Sequence, residues 1–600
     1  MTARQGPAAR PALIALIVLM ALGGSGLAVG LAGSIALAPA ARADDASAWV
    51  ERQLQAMTTR QKVGQLFVPR VYGTTADTAE PQDVSKNLAE LGVANTVELI
   101  RRYQVGGIVY FGGNVTTPRA LARFGNAVQS AAAGTAVPIG VLTAIDQEQG
   151  LVVRVGPPAT VLPGSMALGA AGSAQAAELA ARITGEELRA MGVFADYAPV
   201  ADVNLDPRNP VIGVRSFSSS PAVVAQLVAA QVRGLQAAGV AATAKHFPGH
   251  GDTAVDSHVG LPVIDHDRAT LEAVDLLPFA AAIDAGVDAI MTGHLLVPAI
   301  DRSGLPATLS GAILTGLLRE RLGFTGVVVT DSLRMEGVRT RFGDGEVAVR
   351  AILAGADQLL DPPSLVKAHA AVLEAVRSGR ISQDRLDDSV RRILRLKAKR
   401  GLRQAADAMV DVARVPLVVG SPEHQRQAQW IADQTTTLVA DAGQVPIPRI
   451  AGSDILVTGR GESATAALAK ALGERGARVR VLESGSQPDS ARIAAARAAA
   501  RAADVVVVLT YDAGRSQRDL VTALKASGTP VVVASTGAPY DLGALPDGLS
   551  ALATYSDRRT AMAALARVLA GQASPVGRLP VSIPGPGGTT RYALGWRAPS

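Results

Sequence analysis

Short apolar runs alternate with longer helical segments along residues 46–400. The short runs are rich in β-branched residues, and the longer segments are rich in alanine, leucine, glutamate and arginine with the period of an amphipathic helix. Such alternation predicts repeated βα units over a parallel sheet. Seven apolar runs mark the predicted strands: residues 107–110, 138–143, 194–198, 240–244, 288–292, 327–330 and 356–360.

Polar residues follow nearly every one of these runs. In a (β/α)₈ barrel the carboxyl ends of all strands meet on one face, and that face carries the active site. The pattern therefore predicts a (β/α)₈ TIM-type barrel over residues 44–400 and a site at its carboxyl-terminal face. The polar residues at or just beyond the ends of the runs are Asp146, Asp202, Asn204, Lys245, His246, His294, Asp331 and Asp361.

The pattern breaks between residues 401 and 450, where prolines and glycines predict a linker region. Residues 451–600 then alternate four further apolar runs with alanine-rich segments, which predicts a smaller α/β sandwich domain. The turn Gly459-Arg460-Gly461 lacks the third glycine of a dinucleotide fingerprint, so nucleotide binding is not predicted.

Length and composition narrow the choice of function. A chain of 600 residues exceeds the roughly 250–300 residues of a single core, which predicts at least two domains. The absence of cysteine excludes thiol nucleophiles, disulfides, cysteine-ligated zinc and iron–sulfur clusters. A formal charge of +6, spread over helical segments, indicates solvated surface and no nucleic-acid partner.

The N-terminal segment has the order of a secretory signal. Arg4 and Arg10 precede an apolar stretch over residues 12–38, and Ala41-Arg42-Ala43 forms a small-residue cleavage site. We expect residues 1–43 to direct export, so that the protein is secreted or extracytoplasmic, in the cell-wall space. The apolar stretch is also long enough to remain as an uncleaved membrane anchor, and this is the only membrane contact that we expect.

A loop with dense polar chemistry follows the buried run 240–244. Its sequence is Lys245-His246-Phe247-Pro248-Gly249-His250-Gly251-Asp252-Thr253, and Asp256-Ser257-His258 comes soon after. Its histidine spacing differs from the helical H-E-x-x-H arrangement, and a glycine- and proline-rich loop is a poor metal cage, so no metal site is predicted. From the residues alone, a loop histidine such as His258 is either catalytic or merely solvated.

A carboxylate stands at the end of the run 327–330. Asp331 begins the segment Asp331-Ser332-Leu333-Arg334-Met335-Glu336-Gly337. At a strand end, a fixed backbone can aim this carboxylate into the site, where it could act as a nucleophile that forms a covalent intermediate. The alternative from spacing alone is that Asp331 caps the next helix.

Both segments resemble those of the family 3 glycoside hydrolases, and within them the β-N-acetylhexosaminidases. The resemblance rests on the Lys-His pair, the Gly-His-Gly turn, the Asp-Ser-His motif and the segment around Asp331, and residues 577–584 resemble the end of the family's C-terminal domain. It implies that Asp331 is the nucleophile, His258 the acid/base and Asp256 the partner of His258. Ser332 stands where β-glucosidases of this family commonly have tryptophan, which favours the hexosaminidase branch.

The resemblance also implies a set of sugar-binding residues. Asp146 is expected to accept hydrogen bonds from two sugar hydroxyls and Arg154 to donate to the same ring, while Arg215, Lys245 and His246 complete the sugar site. Neighbouring strand residues point to opposite faces, so Lys245 and His246 need a strand end or a bulge to reach one pocket together.

The resemblance implies a retaining exo-β-N-acetylhexosaminidase. It would release terminal β-linked N-acetylglucosamine from peptidoglycan fragments or chitooligosaccharides, without a cofactor. The alternatives are a β-N-acetylglucosaminide phosphorylase or a β-glucosidase on the same fold, and a non-enzymatic cell-wall-binding protein. We further expect His250 and Asp252 to shape the loop, and His294 either to line the pocket or to form hydrogen bonds in the core.

Overall fold

The computed structural model describes residues 39–256, 260–339 and 341–599. Most of the predicted secretory segment 1–43, namely residues 1–38, lies outside the described residues, as does His258. Residues 46–600 form one compact unit that contains two large sheets. Within the described ranges, every helix is too short or too polar to span a membrane.

Eight parallel strands form the first sheet and close into a barrel. Six of them form a continuous ladder in chain order, and the first and last strands pair with each other. Parallel bridges from Arg70 to Val109 and from Val329 to Gln358 join the two sets. The strands are β1 (Phe67–Val68), β2 (Gly107–Tyr110), β3 (Leu142–Ile145), β4 (Ala195–Asp196), β5 (Ala241–Phe247), β6 (Ala289–Thr292), β7 (Val327–Val329) and β8 (Leu359–Leu360).

Helices surround these strands, and the predicted (β/α)₈ barrel is confirmed. Two further segments, Leu271–Asp275 and Ala312–Arg321, are π-helical. The helices up to the second sheet are α1 (Pro39–Ala56), α2 (Thr59–Gln65), α3 (Pro81–Leu91), α4 (Thr96–Tyr103), α5 (Pro118–Ala133), α6 (Ser165–Ala171), α7 (Ala174–Ala190), α8 (Pro221–Ala237), α9 (Arg268–Thr270), α10 (Leu277–Asp284), α11 (Glu336–Arg339), α12 (Asp344–Ala354), α13 (Leu365–Arg377), α14 (Gln383–Lys399), α15 (Val415–Val418) and α16 (Pro422–Ala432).

Local sequence accounts for these elements. The barrel strands are buried on both faces, so they consist of continuous apolar runs, such as the three valines of β7. Helix α14 shows the complementary pattern, because Leu386, Val390, Ile393 and Leu394 form one buried stripe. The Ser382 side chain accepts a hydrogen bond from a backbone N–H in the first turn and thereby caps this helix.

The second large sheet has the strand order β11-β10-β12-β13-β14-β9. All its pairs are parallel except β9 with β14. Its strands are β9 (Thr437–Ala440), β10 (Asp454–Gly459), β11 (Arg478–Glu483), β12 (Val505–Thr510), β13 (Val531–Ser535) and β14 (Ser550–Ala553), and a small antiparallel pair follows, β15 (Ile583–Pro584) and β16 (Thr590–Tyr592). The helices beside it are α17 (Glu462–Gly473), α18 (Ser490–Ala500), α19 (Arg515–Lys525) and α20 (Arg559–Leu569).

Helices cover both faces of this sheet, as a sandwich requires. Leucines of α17 and α20 pack in one apolar cluster, and residues of α18 and α19 pack in the other. The second cluster also contains Met166, Ala167 and Ala170 of the barrel helix α6. The barrel helix α6 therefore packs into the core of the second sheet domain. The predicted linker region 401–450 contains α15, α16 and β9, and β9 hydrogen-bonds to the second sheet.

Candidate active site

A cavity of about 370 Å³ opens at the carboxyl ends of the barrel strands. This volume is within the range of small-molecule sites, roughly 300–1,000 Å³. All six described residues that the sequence predicts as nucleophile or sugar ligands line it: Asp146, Arg154, Arg215, Lys245, His246 and Asp331. Asp256 is half-buried in the loop after β5 and is not one of the described lining residues, and His258 lies outside the described residues.

Lys245 and His246 both reach the cavity although they are neighbours in β5. The pairing of β5 with β6 shifts register between Ala244 and Phe247, so an irregularity interrupts the alternation of side chains at this point. Lys245 and His246 thus reach one pocket through a local irregularity of the strand, in agreement with the expectation of a strand end or a bulge.

A buried charge network forms one wall of the cavity. The Lys245 Nζ atom lies 2.8 Å from Asp146 Oδ1 and 2.7 Å from Glu148 Oε1. Arg215 donates two hydrogen bonds of 2.8 Å to the Glu148 carboxylate, and the Arg154 guanidinium lies 3.8 Å from Asp146. Opposite charges thus hold Asp146, Arg154, Arg215 and Lys245 in place.

Glu148 is the centre of this network and was not predicted from the sequence. Its side chain is 3% exposed, and that of Lys245 is 2% exposed. Burial alone would raise the pKa of Glu148, but Arg215 and Lys245 hold it well below its ordinary value. Glu148 therefore stays ionised and orients both cations.

Asp202 orients His246 from the buried side. One Asp202 oxygen lies 2.8 Å from His246 Nδ1, and the other accepts hydrogen bonds from the backbone N–H groups of His246 and His250. A carboxylate at Nδ1 directs the Nδ1 proton toward itself and fixes the ring in place. The edge of the ring that carries Nε2 is then left for contacts in the cavity.

Asp331 lies just beyond the end of β7 and lines the cavity. Its Oδ1 atom accepts a hydrogen bond of 2.7 Å from the N–H of Ser332, the next residue, whereas helix α11 begins only at Glu336. Burial alone would raise the pKa of Asp331, but His246, His294, the Ser332 N–H and Lys245 together lower it. The carboxylate is therefore ionised, as a nucleophile requires, and does not act as the cap of α11.

Two further histidines, His294 and His250, are held by hydrogen bonds at or beside the cavity, and His250 lines it. His294 is fully buried, with its Nδ1 atom 2.8 Å from Thr308 Oγ1 and its Nε2 atom 3.0 Å from the Ser332 carbonyl oxygen. These hydrogen bonds hold the segment after Asp331, and they favour the alternative in which His294 forms hydrogen bonds in the core. His250 Nδ1 lies 2.8 Å from Thr253 Oγ1, and burial lowers the pKa of His250 to about 4, so this ring is neutral at pH 7.

Two further arginines on the cavity wall were missed by the sequence analysis. Arg70 lies at the end of β1, stacks over the Phe111 ring at 3.8 Å and forms an ion pair with Asp361 at 2.9 Å. Arg334 donates two hydrogen bonds to Glu90. Together with Arg154, which also lies over Phe111, they place three guanidinium groups on one side of the cavity.

Comparison with known proteins identifies the family. The model of the glycosyl hydrolase family 3 N-terminal domain matches residues 58–396, and that of the family's C-terminal domain matches residues 396–594. The chain belongs to glycoside hydrolase family 3. The first match spans the described barrel and all the described cavity residues, and the second spans the second large sheet.

Individual relatives are named as β-hexosaminidases or β-N-acetylglucosaminidases. The chain is 37% identical over 416 residues to β-hexosaminidase A of Pseudoalteromonas piscicida, over 65% of this chain and 69% of that protein. It is 33% identical over 422 residues to a β-N-acetylglucosaminidase/β-glucosidase of Cellulomonas fimi, over 69% and 70%. The solved structure of a family 3 β-N-acetylglucosaminidase from Paenibacillus sp. str. FPU-7 matches with a TM-score of 0.77 and 38% identity, over 88% of this chain and 99% of that one.

Proposed function

We propose that the chain is a retaining exo-β-N-acetylglucosaminidase in which Asp331 is the nucleophile. The observation that carries the proposal is the position of Asp331. It is an ionised carboxylate at a strand end, in the same cavity as the Asp146, Lys245 and Arg215 cluster. The names of two relatives, a β-hexosaminidase 37% identical and a β-N-acetylglucosaminidase/β-glucosidase 33% identical, support N-acetylglucosamine as the sugar.

The reaction follows from the assigned roles. An Asp331 oxygen attacks C1 of the sugar, the glycosidic bond breaks, and the leaving oxygen takes a proton from His258. In the second step water gives a proton to His258 and attacks C1, which breaks the sugar–Asp331 ester and restores both groups. A histidine can serve in both directions because imidazole titrates near neutral pH. Asp256 would stabilise its cationic form.

In the proposed sugar site, the sugar hydroxyl groups contact both acidic and basic side chains. Asp146 accepts hydrogen bonds from hydroxyl groups, and Lys245, Arg154 and Arg215 donate to them, since charged groups form the stronger hydrogen bonds. His246, held by Asp202, supplies its Nε2 atom. Ser332 lines the cavity beside Asp331. A tryptophan at this position would fill part of the cavity, whereas the small serine side chain leaves room for an N-acetyl group.

The first test is release of p-nitrophenol from the β-N-acetylglucosaminide and the β-glucoside, side by side. We expect the N-acetylated substrate to react faster, because the proposal assigns the chain to the hexosaminidase branch. Preference for the glucoside would contradict that assignment. Repeating the reaction in phosphate buffer distinguishes a phosphorylase, which forms a sugar-1-phosphate, from a hydrolase, which forms free N-acetylglucosamine.

We also propose that the natural substrates are peptidoglycan fragments or chitooligosaccharides outside the membrane. The support is the N-terminal sequence, with basic, apolar and small-residue parts in the order of a secretory signal. N-terminal sequencing of the protein from the culture fluid, the membrane fraction and the cytoplasm tests whether the protein is exported. A start near Asp44 in the fluid indicates cleavage, an intact N-terminus in the membrane indicates an anchor, and an intact cytoplasmic protein contradicts export.

Asp202→Asn should lower kcat/KM through His246. The variant replaces a buried acceptor of three hydrogen bonds by an amide that accepts fewer of them and can present a donor to the His246 ring. Hydrogen bonds to charged groups are worth about 1.5–3 kcal/mol, which corresponds to a loss of roughly 10- to 150-fold. Steady-state kinetics and thermal melting measure it. Asp206→Asn, which affects a pair with exposed Arg208, is the matched control, and equal kinetics for both variants would refute the assignment.

A further inference from the structure

A histidine bridges two carboxylates outside the cavity. His266 Nδ1 lies 2.7 Å from Asp275 Oδ2, and His266 Nε2 lies 2.8 Å from Asp252 Oδ2. Asp275 is buried at the end of the π-helical segment Leu271–Asp275, and Asp252 is partly exposed in the loop after β5. The nucleophile and sugar-binding assignments leave this Asp252–His266–Asp275 bridge without a role.

The bridge joins the two stems of the loop between β5 and α9. The first stem, residues 248–253, is fixed by the His250 N–H to Asp202 and by Asn209, which donates to the His250 carbonyl oxygen. The second stem, residues 262–266, hydrogen-bonds to Leu296 through the backbone of Pro262 and Ile264. His266 belongs to the second stem and contacts the first directly.

Asp275 also packs closely against the first stem. Gly249 has a φ of +131°, and a Cβ atom at this position would lie 2.9 Å from Asp275 Cβ. The backbone thus approaches the helix as closely as glycine permits. Asp275 therefore contacts the first stem through Gly249 and the second through His266, so the two stems and the helix form one rigid base.

The charge state of His266 favours the bridge. A neutral imidazole has one N–H and can donate to only one carboxylate, whereas the imidazolium donates to both. Burial alone would lower the pKa of His266, but Asp275 and Asp252 raise it above its ordinary value. The two carboxylates therefore favour the imidazolium form, in which both ring nitrogens are donors.

We propose that His266 is a positioning residue, which fixes the two stems of the loop that carries His258 in the sequence and thereby aids proton transfer by that residue. The inference rests on the proposed function, which assigns the acid/base role to His258. Between the stems, the Gly260 N–H donates a hydrogen bond of 3.0 Å to the Asp256 carbonyl oxygen. We expect a change in the separation of the stems to impair the proton transfer that the proposed function assigns to His258.

The test compares leaving groups that differ in their need for a proton. 2,4-Dinitrophenolate leaves without protonation, whereas the sugar of chitobiose needs a general acid, which contributes about 10²–10⁴-fold. For His266→Gln and Asp252→Ala we expect kcat/KM on chitobiose to fall roughly 10- to 100-fold, and on 2,4-dinitrophenyl β-N-acetylglucosaminide less than about 3-fold. Asp265→Ala, an exposed carboxylate of the second stem, is the control and should match the wild type.

An equal loss on both substrates, or no loss on either, would overturn the positioning role. If His266→Gln does not fold, Asp252→Ala carries the test, because Asp252 is the partly exposed end of the bridge. His258→Ala, measured in parallel, separates this failure from that of the proposed function. If His258→Ala loses the same activity on both leaving groups, the acid/base assignment fails. If His258→Ala loses more activity on chitobiose but the bridge variants do not, only the bridge proposal fails.

Discussion

Asp331→Ala is expected to abolish release of p-nitrophenol from the β-N-acetylglucosaminide while the protein remains folded. The Asp331 carboxylate contacts the Ser332 N–H, and this backbone group lies beside the cavity, so its loss costs little stability. The covalent intermediate cannot form without the carboxylate, and losses of roughly 10⁴-fold or more are typical when a nucleophile is removed. Steady-state kinetics with wild type and variant, at matched folded concentration, measure the effect.

Azide distinguishes loss of the nucleophile from loss of the site. In Asp331→Ala the space left by the carboxylate admits azide, which attacks C1 of the 2,4-dinitrophenyl substrate directly. The expected product is the α-glycosyl azide, since one displacement inverts the β configuration. Asp388→Ala, an exposed carboxylate on α14, is the control and should neither lose activity nor respond to azide. Undiminished turnover by Asp331→Ala would refute the nucleophile assignment.

The sequence predicts the barrel well because buried parallel strands are continuous apolar runs. Seven of the eight barrel strands overlap with predicted runs, whereas β1 was missed, since Phe67–Val68 is too short to show a period and Pro69 follows it. In the second sheet, β9 lies in the proline-containing region that was predicted as a linker. Strand β9 is an antiparallel edge strand that depends on β14 for its hydrogen bonds, and no local sequence pattern indicates this pairing.

The candidate site was predictable where a side chain follows directly from a strand. Asp146, Lys245 and Asp331 stand at strand ends, and strand geometry brings such ends together. Glu148 could have been found by the same argument, because it follows Asp146 at a spacing of two and residues so spaced share one side of an extended chain. Arg334 could not, since its contact with Glu90 joins residues 244 positions apart in sequence.

The ion pairs of the site also could not be predicted from the sequence. Arg215 stands in a loop, where a lone arginine is usually solvated, yet its side chain is only 12% exposed and is paired with Glu148. Its position depends on a short 3₁₀ turn, Gly213–Arg215, and on the Val211 carbonyl oxygen, to which it also donates. Only the three-dimensional arrangement shows that Glu148 compensates two buried cations.

Glu148→Gln is expected to destabilise the fold as well as the sugar site. The substitution keeps the shape of the side chain but leaves Lys245 and Arg215 buried with one carboxylate fewer between them. Removing one partner of a buried ion pair costs about 3–5 kcal/mol, because the remaining charge stays out of water without compensation. Urea unfolding measures the stability, and kcat/KM should fall in parallel, since Arg215 loses the carboxylate that orients it.

A double-mutant cycle with Lys245→Met tests whether the loss arises from the unpaired charge. We expect Glu148→Gln/Lys245→Met to be more stable than the sum of the single losses predicts, because the double variant removes one cation together with the carboxylate. Its activity should remain low, since Lys245 is proposed to bind sugar. Additive stability losses would contradict a direct coupling between the two residues.

The pH dependence gives an independent check on the same pair. The pKa of Glu148 is lowered in the folded protein from an ordinary value of 4.5, so its contribution to stability is fully present above that pH. As the pH falls below 4.5, the unfolded chain binds a proton on Glu148 while the folded chain does not. The difference in unfolding free energy between wild type and Glu148→Gln should therefore stay constant from pH 7 to about 5 and shrink below it. A difference that stays constant down to pH 3 would show that the carboxylate charge of Glu148 is not the source of this stability.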